Sequence, residues 1–502
     1  MHTSCIFFFV KNGKKSLLVY QVASLYNYMN GDMKMTQNNQ EQTENQSKPA
    51  SKGDFSQGSI SKTVIKMAIP ITAAELVHVL YNLVDRMYIG HIPDVGTAAL
   101  SGVGIAFPLI TLIGAFANLC GTGGNPLCSI ARGEGNNEKA TRILKSAFTM
   151  LLISGAVLTV LMLIFAEPLL ALMGGDAETL PYAMDYFKIY VIGIIPVLIS
   201  LGMNPFINGM GFTKVGMGTV LIGAALNIVL DPIFIFSMNM GIKGAAIATV
   251  ISQTVSAIWV LIFLTGRRTI LRLEGLGIDG TQAVRIIKLG VTGFMFKFSN
   301  SVAQAIVNMT LKEFGGAAST LYIGAMSIIN SLREVVMMPI SGITTAAVPV
   351  MSFNYGAKLY SRVKKTIKFM FGSSFLYNLA AWALVMFLPV PLIKIFTTDP
   401  VLIETTVTCL RVYFGVYFLM TMQSSGQNTF IALNQPKFAV FFSTLRKLIL
   451  IVPFTIILPR VGFGVMGVFY AEMFSQIIGA TACFSTMIFT QYRKLPQDGE
   501  AA

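Results

Sequence analysis

The chain has 502 residues, of which 54% are hydrophobic and 12% are charged. Soluble proteins carry about 25% charged residues, so this composition excludes an ordinary soluble protein and indicates a polytopic membrane protein. The net charge of +14 gives no reason to expect a nucleic-acid partner, because lysine and arginine accumulate in the cytoplasmic loops of membrane proteins.

Motifs for enzyme chemistry are missing from the sequence, which contains no GxxxxGK[ST] phosphate loop, no HExxH and no GxSxG. Cys120, Cys128, Cys409 and Cys483 form no CxxC pair. We predict that they are small apolar residues rather than zinc ligands. We therefore expect no enzyme activity, no cofactor and no structural metal site.

Residues 1–60 differ in composition from the rest of the chain. The stretch from Thr36 to Gly58 is rich in Gln, Asn, Ser and Lys and is predicted to be disordered. The apolar run at 5–10 is too short for a membrane span and lacks the features of a signal peptide. We expect either a disordered tail or a mis-assigned start, with translation beginning at Met33 or Met35.

Twelve apolar segments follow, each about 20 residues long, as a hydrocarbon layer of about 30 Å requires. Loops after even-numbered segments hold sixteen Lys and Arg residues, and loops after odd-numbered segments hold four, which predicts that both termini are cytoplasmic. The predicted segments are 64–86, 98–122, 143–166, 183–207, 214–237, 243–265, 284–308, 317–342, 366–388, 401–424, 437–458 and 464–490.

The second half of the chain repeats the first at an offset of 223 residues. Because each repeat crosses the membrane six times, both copies have the same orientation, and the axis relating them runs along the membrane normal. The matching stretches are NPLCSIARG at 125–133 with VPVMSFNYG at 348–356, GGD at 174–176 with TTD at 397–399, and GIKGAAIAT at 241–249 with GVMGVFYAE at 464–472.

We therefore predict an all-α polytopic membrane protein with twelve transmembrane helices. They form two six-helix lobes related by a pseudo-two-fold axis, with a cleft between the lobes. The predicted divisions are an N-terminal tail (1–60), an N-lobe (61–265), a cytoplasmic inter-lobe loop (266–285), a C-lobe (286–490) and a C-terminal tail (491–502).

The first segment carries polar groups on one helical face, at Glu75, His78, Asn82 and Asp85. A charge at the middle of a lipid-exposed helix costs about 2.5–3.5 kcal/mol, so this face is expected to look into protein or a water-filled cleft. The alternative for Asp85 is that it only ends or caps its helix near the interface.

Two further pairs are one helical turn apart, Asn227 with Asp231 and Thr249 with Gln253. Two close carboxylates in a low-dielectric site cannot both ionise. We therefore predict that Asp85 and Asp231 form either a pair that shares a proton or a set of oxygen ligands for a cation. The alternative for Asp231 is that it merely ends its helix.

These residues resemble the multidrug and toxic compound extrusion (MATE) family, in particular its DinF-like prokaryotic branch. The resemblance rests on Pro70, on YNLVDRMYIG at 81–90, on NIVLDP at 227–232 and on Thr249, and it covers roughly residues 60–490. It implies a MATE-type fold and a secondary antiporter that exports cationic or amphipathic drugs against Na⁺ or H⁺ by alternating access. We also expect a monomer in the lipid bilayer of a bacterial inner (plasma) membrane.

The resemblance also implies roles for individual positions. It assigns Asp85, Asn227, Asp231 and Thr249 to the cluster that couples transport to H⁺ or to transiently bound Na⁺, and it puts Tyr81 beside that cluster. It makes Pro70 the place where the first helix bends, and a proline inside a span permits such a bend. The candidates for the substrate cleft are Glu75, His78, Asn82, Gln253, Lys297, Asn300, Gln304, Arg333, Glu334 and Glu472.

Lys297 departs from the family pattern. An offset of 222 puts Glu75 and Lys297 at equivalent positions of the two repeats. Either these two residues pair across the cleft in one conformation, or Glu75 attracts cationic substrates, or each residue has a partner within its own lobe. Arg446 and Lys447 are predicted to snorkel or to pair within their own helix.

Two other functions remain as alternatives. A lipid-linked polysaccharide flippase of the same superfamily would use a similar two-lobed shell with a more basic cavity, to which Lys297 and Arg333 could contribute. A membrane-embedded enzyme would require paired histidines or a nucleophile constellation, and His78 alone does not supply one. Assays with cationic dyes and with lipid-linked sugars would separate the first alternative from a drug exporter.

Overall fold

A computed structural model of the protein describes residues 53–500, and every regular element in that range is helical. This confirms the predicted fold class. We number the helices in chain order and treat two bent pairs as single elements. They are α1 (Ile60–Gly90), α2 (Gly96–Gly133), α3 (Asn137–Leu172), α4 (Leu180–Ile192 and Ile194–Gly209), α5 (Thr213–Pro232), α6 (Gly241–Thr265), α7 (Gly280–Gly315), α8 (Ser319–Gly356), α9 (Tyr360–Phe387), α10 (Pro400–Phe414 and Met420–Ala432), α11 (Pro436–Phe463) and α12 (Met466–Thr490).

Nine helices in the described range are long and apolar enough to cross a membrane, or eleven when each bent pair counts as one span. This count takes Gly280–Gly356 as one element of 77 residues, within which a short 3₁₀ turn at Gly316–Ala318 separates α7 from α8. The predicted number of twelve requires α7 and α8 to be counted separately, and the exact count stays a prediction. The predicted 266–285 loop is shorter than expected, because α7 already begins at Gly280.

The repeat is visible where helices begin. Asp176 and Asp399 are equivalent residues that precede helices. Asp399 caps the helix that follows it, with Oδ1 accepting from the Val401 backbone N–H at 2.9 Å. Asp176 Oδ1 accepts from the Thr179 backbone N–H at 2.8 Å, just before the helix begins at Leu180. The hydrogen bonds from Thr179 hold the pKa of the Asp176 carboxyl below its ordinary value. The GGD and TTD stretches therefore both lead into a helix, which begins four residues after Asp176 and one residue after Asp399.

The N-lobe (α1–α6) and the C-lobe (α7–α12) meet through reciprocal contacts. Gly133 at the end of α2 packs against the carbonyl of Phe353 on α8, and Gly356 at the end of α8 packs against the carbonyl of Ile130 on α2. Both pairs leave no room for a side chain at the glycine. An offset of 223 converts each contact into the other, which is the signature of a two-fold interface.

A second pair of contacts obeys the same symmetry. Gly290 on α7 packs against the backbone of Leu119 on α2, while Gly342 on α8 packs against α1 at Ala68. All these contacts involve the beginnings of α1 and α7 and the ends of α2 and α8. Successive helices alternate in direction, so these portions lie at one end of the molecule, which we call the closed end.

Polar side chains of α1 and α7 lie away from the closed end. The side chains of His78, Lys297, Ser301 and Asn308 are exposed there, and Lys297 is near enough to His78 for their charges to interact. The lobes are thus packed together at the closed end, and a cleft between them at the other end stays a prediction.

The predicted N-terminal tail needs a correction, because residues 53–58 are tied to both lobes at the closed end. Arg132 of the N-lobe donates to the carbonyl of Gly53 at 2.6 Å, and Asn354 and Arg362 of the C-lobe each donate to that of Phe55 at 3.0 Å. The Phe55 side chain is buried. Composition predicts disorder here because it does not reveal these partners. The rest of the predicted tail, residues 1–52, lies outside the described range.

Candidate functional site

The acidic residues of α1 and α5 converge inside the N-lobe. Asp85 and Asp231 are buried and lie close enough for their carboxyl groups to interact. Asn227, one turn before Asp231, donates from Nδ2 to Asp231 Oδ1 at 2.9 Å. Two carboxyl groups hydrogen-bond only when one holds a proton, and they otherwise require a cation between them.

Three oxygens of this cluster have no hydrogen-bond partner among the described residues. They are Oδ1 of Asp85, Oδ2 of Asp231 and Oδ1 of Asn227. Buried polar atoms are nearly always paired in proteins, so a group of three acceptors without donors requires an explanation. Oxygen acceptors without competing donors are the ligands that a hard cation prefers.

A small cavity adjoins this cluster between α1, α4, α5 and α6. Its volume is about 40 Å³, which is enough for a few water molecules or an ion. Five predicted site residues line it, and they are Tyr81, His78, Asn227, Thr249 and Gln253. Three of the five coupling positions and two of the cleft candidates therefore line one space within the N-lobe, whereas Asp85 and Asp231 do not line it themselves.

Two residues of this site were missed by sequence reasoning, both on α4. Ser200 Oγ donates to Gln253 Oε1 at 2.9 Å, and the buried Tyr186 lies within hydrogen-bonding range of Thr249. In the sequence, α4 reads as an apolar span with scattered polar residues. Only its 62° bend between Ile192 and Ile194 brings these side chains to the site.

The other polar residues of α1 are used locally. Asn82 donates to the His78 carbonyl at 2.7 Å, one turn earlier on the same helix. The rings of His78 and Tyr81 meet edge to face at 5.1 Å. Pro70 is buried within α1, which runs as one helix from Ile60 to Gly90. Bending of α1 at Pro70 stays a prediction.

Glu75 does cross to the other lobe, but its partner is not Lys297. Ser341 Oγ on α8 donates to Glu75 Oε1 at 2.8 Å. Lys297 takes part in none of the ion pairs found within residues 53–500. Glu75 therefore pairs neither with Lys297 nor within its own lobe in this conformation, because the closed end brings α8, rather than α7, against this part of α1. Attraction of cationic substrates by Glu75 stays a prediction.

The remaining α7 candidates lie on the C-lobe side of the cleft. Gln304 Nε2 donates to Asn308 Oδ1 at 3.1 Å, and Asn330 of α8 donates to Gln304 Oε1 at 3.2 Å. Asn300 is half-buried on the same helix. These amides connect α7 to α8 within the C-lobe and do not reach the carboxyl cluster of the N-lobe.

Glu472 belongs to a buried cluster inside the C-lobe. Arg446 Nη1 is 2.7 Å from Glu472 Oε1, and Lys447 Nζ is 3.5 Å from Oε2. The prediction for Arg446 and Lys447 was wrong: they neither snorkel nor pair within α11, because α12 offers them a buried carboxylate. Arg333 of α8 interacts with the same cluster, whereas Glu334 is exposed.

The four cysteines within the described range are free and buried in apolar surroundings, as predicted. No group of three or more His, Cys, Asp or Glu side chains in residues 53–500 is arranged to hold a metal. This leaves the mixed carboxyl, amide and hydroxyl set of the N-lobe as the ion-site candidate. Nine to eleven membrane-capable helices in the described range that form two packed repeats, with a buried carboxyl pair in one of them, are typical of a membrane transporter.

Comparison with known proteins identifies which transporter family this is. The family model MatE matches residues 70–233 and 297–457, which together make up more than half of the chain. The chain therefore belongs to the MatE family. It is 25% identical over 451 residues to the multidrug export protein MepA of Staphylococcus haemolyticus, covering 87% of this chain and 94% of that protein.

Solved structures share the fold. A MOP superfamily transporter from Pyrococcus furiosus superimposes with a TM-score of 0.82 at 23% identity, covering 89% of this chain and 99% of that one. The outward-facing conformation of a multidrug resistance MATE family transporter gives 0.81 at 23% identity, covering 90% and 100%. The resemblance inferred from sequence motifs is thereby confirmed.

Proposed function

We propose that this protein is a secondary active exporter of cationic and amphipathic organic compounds, driven by antiport against Na⁺ or H⁺ through alternating access. The observation that carries the proposal is the buried pair of Asp85 and Asp231, each with a carboxyl oxygen that lacks a hydrogen-bond partner within residues 53–500, next to Asn227, which lines the N-lobe cavity. The similarity to MepA, a multidrug export protein, supports the substrate class. We further propose residence in a bacterial inner membrane with both termini in the cytoplasm.

The donor set fits either coupling ion. Na⁺ would find carboxyl oxygens of Asp85 and Asp231 and the amide oxygen of Asn227, with the hydroxyl of Thr249 across the cavity. H⁺ would be shared by the two carboxyl groups. In either case the ion removes the repulsion between two carboxylates, so it stabilises the arrangement in which α1 and α5 are close.

The driving force is sufficient for useful export. One positive charge that crosses a membrane potential of about 150 mV releases about 3.5 kcal/mol. At about 1.4 kcal/mol per factor of ten, this supports a gradient of roughly 300-fold for a neutral compound. For a monovalent cation exchanged one for one, the electrical contributions cancel, and export then requires a chemical ion gradient or a second ion.

The conformation agrees with the proposed cycle. With cytoplasmic termini, the closed end would face the cytoplasm and the predicted cleft would open outward. Drug release and ion entry would take place in this state. The cycle then separates the glycine contacts at Gly133 and Gly356, closes the cleft at the opposite end, and admits a new substrate from the cytoplasm.

The proposal is tested by dye efflux from proteoliposomes in which Na⁺ and pH gradients are imposed separately. We expect Asp85→Asn and Asp231→Asn to lose gradient-driven ethidium efflux by at least tenfold while still binding ethidium. Asp185→Asn removes a carboxyl of the same lobe that is 44% exposed and is the matched control. Efflux at the full rate in both cluster variants would refute the coupling site.

A second candidate function, flipping of a lipid-linked saccharide, is favoured by one observation. Lys297 is exposed in the cleft and is not engaged in any ion pair within residues 53–500, so its ammonium group is available to a pyrophosphate. Transport of a lipid-linked sugar that is lost in Lys297→Met, together with no efflux of ethidium, would favour this candidate.

A further inference from the structure

The two lobes use equivalent positions in opposite ways. In the N-lobe, Gly223 and Ala224 of α5 and Thr249 of α6 line the cavity beside the carboxyl pair. An offset of 223 converts these positions into Arg446, Lys447 and Glu472. Three small or neutral residues around an open space thus correspond to three charged side chains.

Packing shows that the equivalence holds in three dimensions. In the N-lobe, Gly223 lies against Ser256, and a Cβ on this glycine would be 2.6 Å from the Ser256 hydroxyl. In the C-lobe, Gly479 lies against the side chain of Arg446, and a Cβ there would be 3.1 Å from it. Gly223 is equivalent to Arg446, and Ser256 is equivalent to Gly479, at the offset of 223. The glycine is on the first helix of the pair in the N-lobe and on the second helix in the C-lobe. Arg446 therefore enters the space that corresponds to the N-lobe cavity.

The C-lobe cluster satisfies its own carboxylate. Arg446 and Lys447 bind the two different oxygens of Glu472, and Gln476 Nε2 is a further donor to Oε1 at 3.5 Å. Glu472, Arg446 and Lys447 are each less than 10% exposed. In the N-lobe, by contrast, Gln253 is the equivalent of Gln476, and the nearby carboxyl oxygens have no such donors.

The backbone of α11 is adapted to this arrangement. Residues Leu445–Ile451 form a π-helical turn, whereas the equivalent part of α5 is α-helical. Consecutive residues of an α-helix diverge by about 100° around the axis. A wider turn brings Arg446 and Lys447 to the same side chain, and such π-bulges are found frequently at functional sites.

The carboxyl pair itself is missing from the C-lobe. The residues equivalent to Asp85 and Asp231 are Val307 and Phe454, at offsets of 222 and 223. Glu472 is the buried carboxylate in the described part of the C-lobe. An external cation has a reason to enter the N-lobe, because carboxyl oxygens are free there, and has none to enter the C-lobe.

We propose that Lys447, together with Arg446, is a built-in counter-ion that takes in the C-lobe the place the coupling ion takes in the N-lobe. The inference rests on the proposed ion coupling at Asp85 and Asp231. The tethered ammonium group holds α11 to α12 throughout the cycle. The C-lobe therefore moves as a rigid half and binds no coupling ion, and all ion coupling belongs to the N-lobe.

The experiment replaces charged residues of the C-lobe by the residues found at the equivalent positions of the N-lobe. Arg446→Gly combined with Lys447→Ala removes the two cationic side chains that bind the Glu472 oxygens and opens a space beside this carboxylate. In proteoliposomes, the number of ions exchanged per ethidium, obtained from the reversal potential under Na⁺ or pH gradients, should increase by one. Adding Glu472→Thr should return the number to that of the parent protein. A double variant that binds ethidium but exchanges no additional Na⁺ or H⁺ would overturn the inference.

A second variant keeps the inference testable if the double variant does not fold. Replacing Arg446, Lys447 and Glu472 together by methionine removes all three charges and fills the space, a change that buried ion-pair clusters often tolerate. The ion-to-substrate ratio should equal that of the parent protein. A ratio lower by one would mean that the cluster itself carries a coupling ion, which would overturn the inference. If Asp85→Asn and Asp231→Asn leave the ratio unchanged, the proposed function fails instead, whatever the C-lobe variants do.

Discussion

The N-lobe and the C-lobe share a fold but solve the problem of a buried carboxylate differently. In the N-lobe, Asp85 and Asp231 face each other with oxygens that lack donors. In the C-lobe, Glu472 is bound by two cationic side chains of the chain itself. A carboxylate that has its own counter-ions needs nothing from solution, whereas a carboxyl pair without them depends on an ion or a proton.

The comparison shows which features of a duplicated fold are constrained. The reciprocal glycine contacts at Gly133 and Gly356 maintain the interface in both halves, because a side chain at either position would collide with a backbone carbonyl. The buried polar residues of the two lobes can differ, because each lobe requires only that its own buried charges are neutralised. Four substitutions test this difference between the lobes.

The largest expected effect concerns the buried charges of the C-lobe. Glu472→Gln leaves Arg446 and Lys447 buried without a counter-charge, so it should destabilise the protein by about 3–5 kcal/mol, as the loss of one partner of a buried ion pair does. Thermal unfolding in detergent measures the change. Asp231→Asn is the matched control and should alter stability by less than about 1 kcal/mol, because it leaves a neutral amide. Equal destabilisation by both would remove the distinction between the lobes.

The next effect concerns the connection between the lobes. Arg362 donates to the carbonyls of Phe55, Gln57 and Gly58. Arg362→Ala should destabilise the closed end by about 1.5–3 kcal/mol, the range for hydrogen bonds to a charged group. Spin labels at the closed ends of the two lobes should then report a larger fraction of separated molecules. Lys368→Ala removes an exposed charge from the same helix and should leave the distance distribution unchanged.

A third substitution gives the N-lobe the cation of the C-lobe. Ala224→Lys introduces an ammonium group at the position equivalent to Lys447, beside the cavity. Ethidium efflux should lose its response to an imposed ion gradient by about tenfold, equivalent to about 1.4 kcal/mol, because the tethered charge competes with the coupling ion. Ala224→Met has similar bulk without the charge. A gradient response that is preserved in the Lys variant, or lost equally in the Met variant, would contradict the comparison.

The smallest effect concerns the contact of Glu75 with α8. Ser341→Ala removes one hydrogen bond between the lobes, which should shift their equilibrium by about 1 kcal/mol, or roughly fivefold. The spin-label distances described for Arg362 measure it. Ser331→Ala is the matched control on the same helix, since its hydroxyl is bound to the carbonyl of Ser327 within α8. If both serine variants give the same distances, the Glu75 contact does not hold the closed end.

Several site features could be predicted from the sequence because they are local in the chain. Asn227 and Asp231 are one helical turn apart, so their hydrogen bond follows from helix geometry alone. The approach of Asp85 to Asp231 could be expected only because a carboxyl group buried in an apolar span needs a polar or charged partner, and these two residues can share one. Tyr186 and Ser200 could not be predicted, because the bend of α4 that aims them at the site depends on packing between helices.

Composition, charge distribution and the internal repeat by themselves determined the membrane class, the two-lobed architecture and the acidic positions of the N-lobe, because hydropathy and helical periodicity are properties of short stretches. Only the tertiary structure decided that Glu75 binds Ser341, that residues 53–58 join the lobes, and that Arg446 and Lys447 neutralise Glu472. A buried charge takes whichever partner the packing brings within reach, and that partner lies on another helix whose distance in the sequence carries no information about its distance in space.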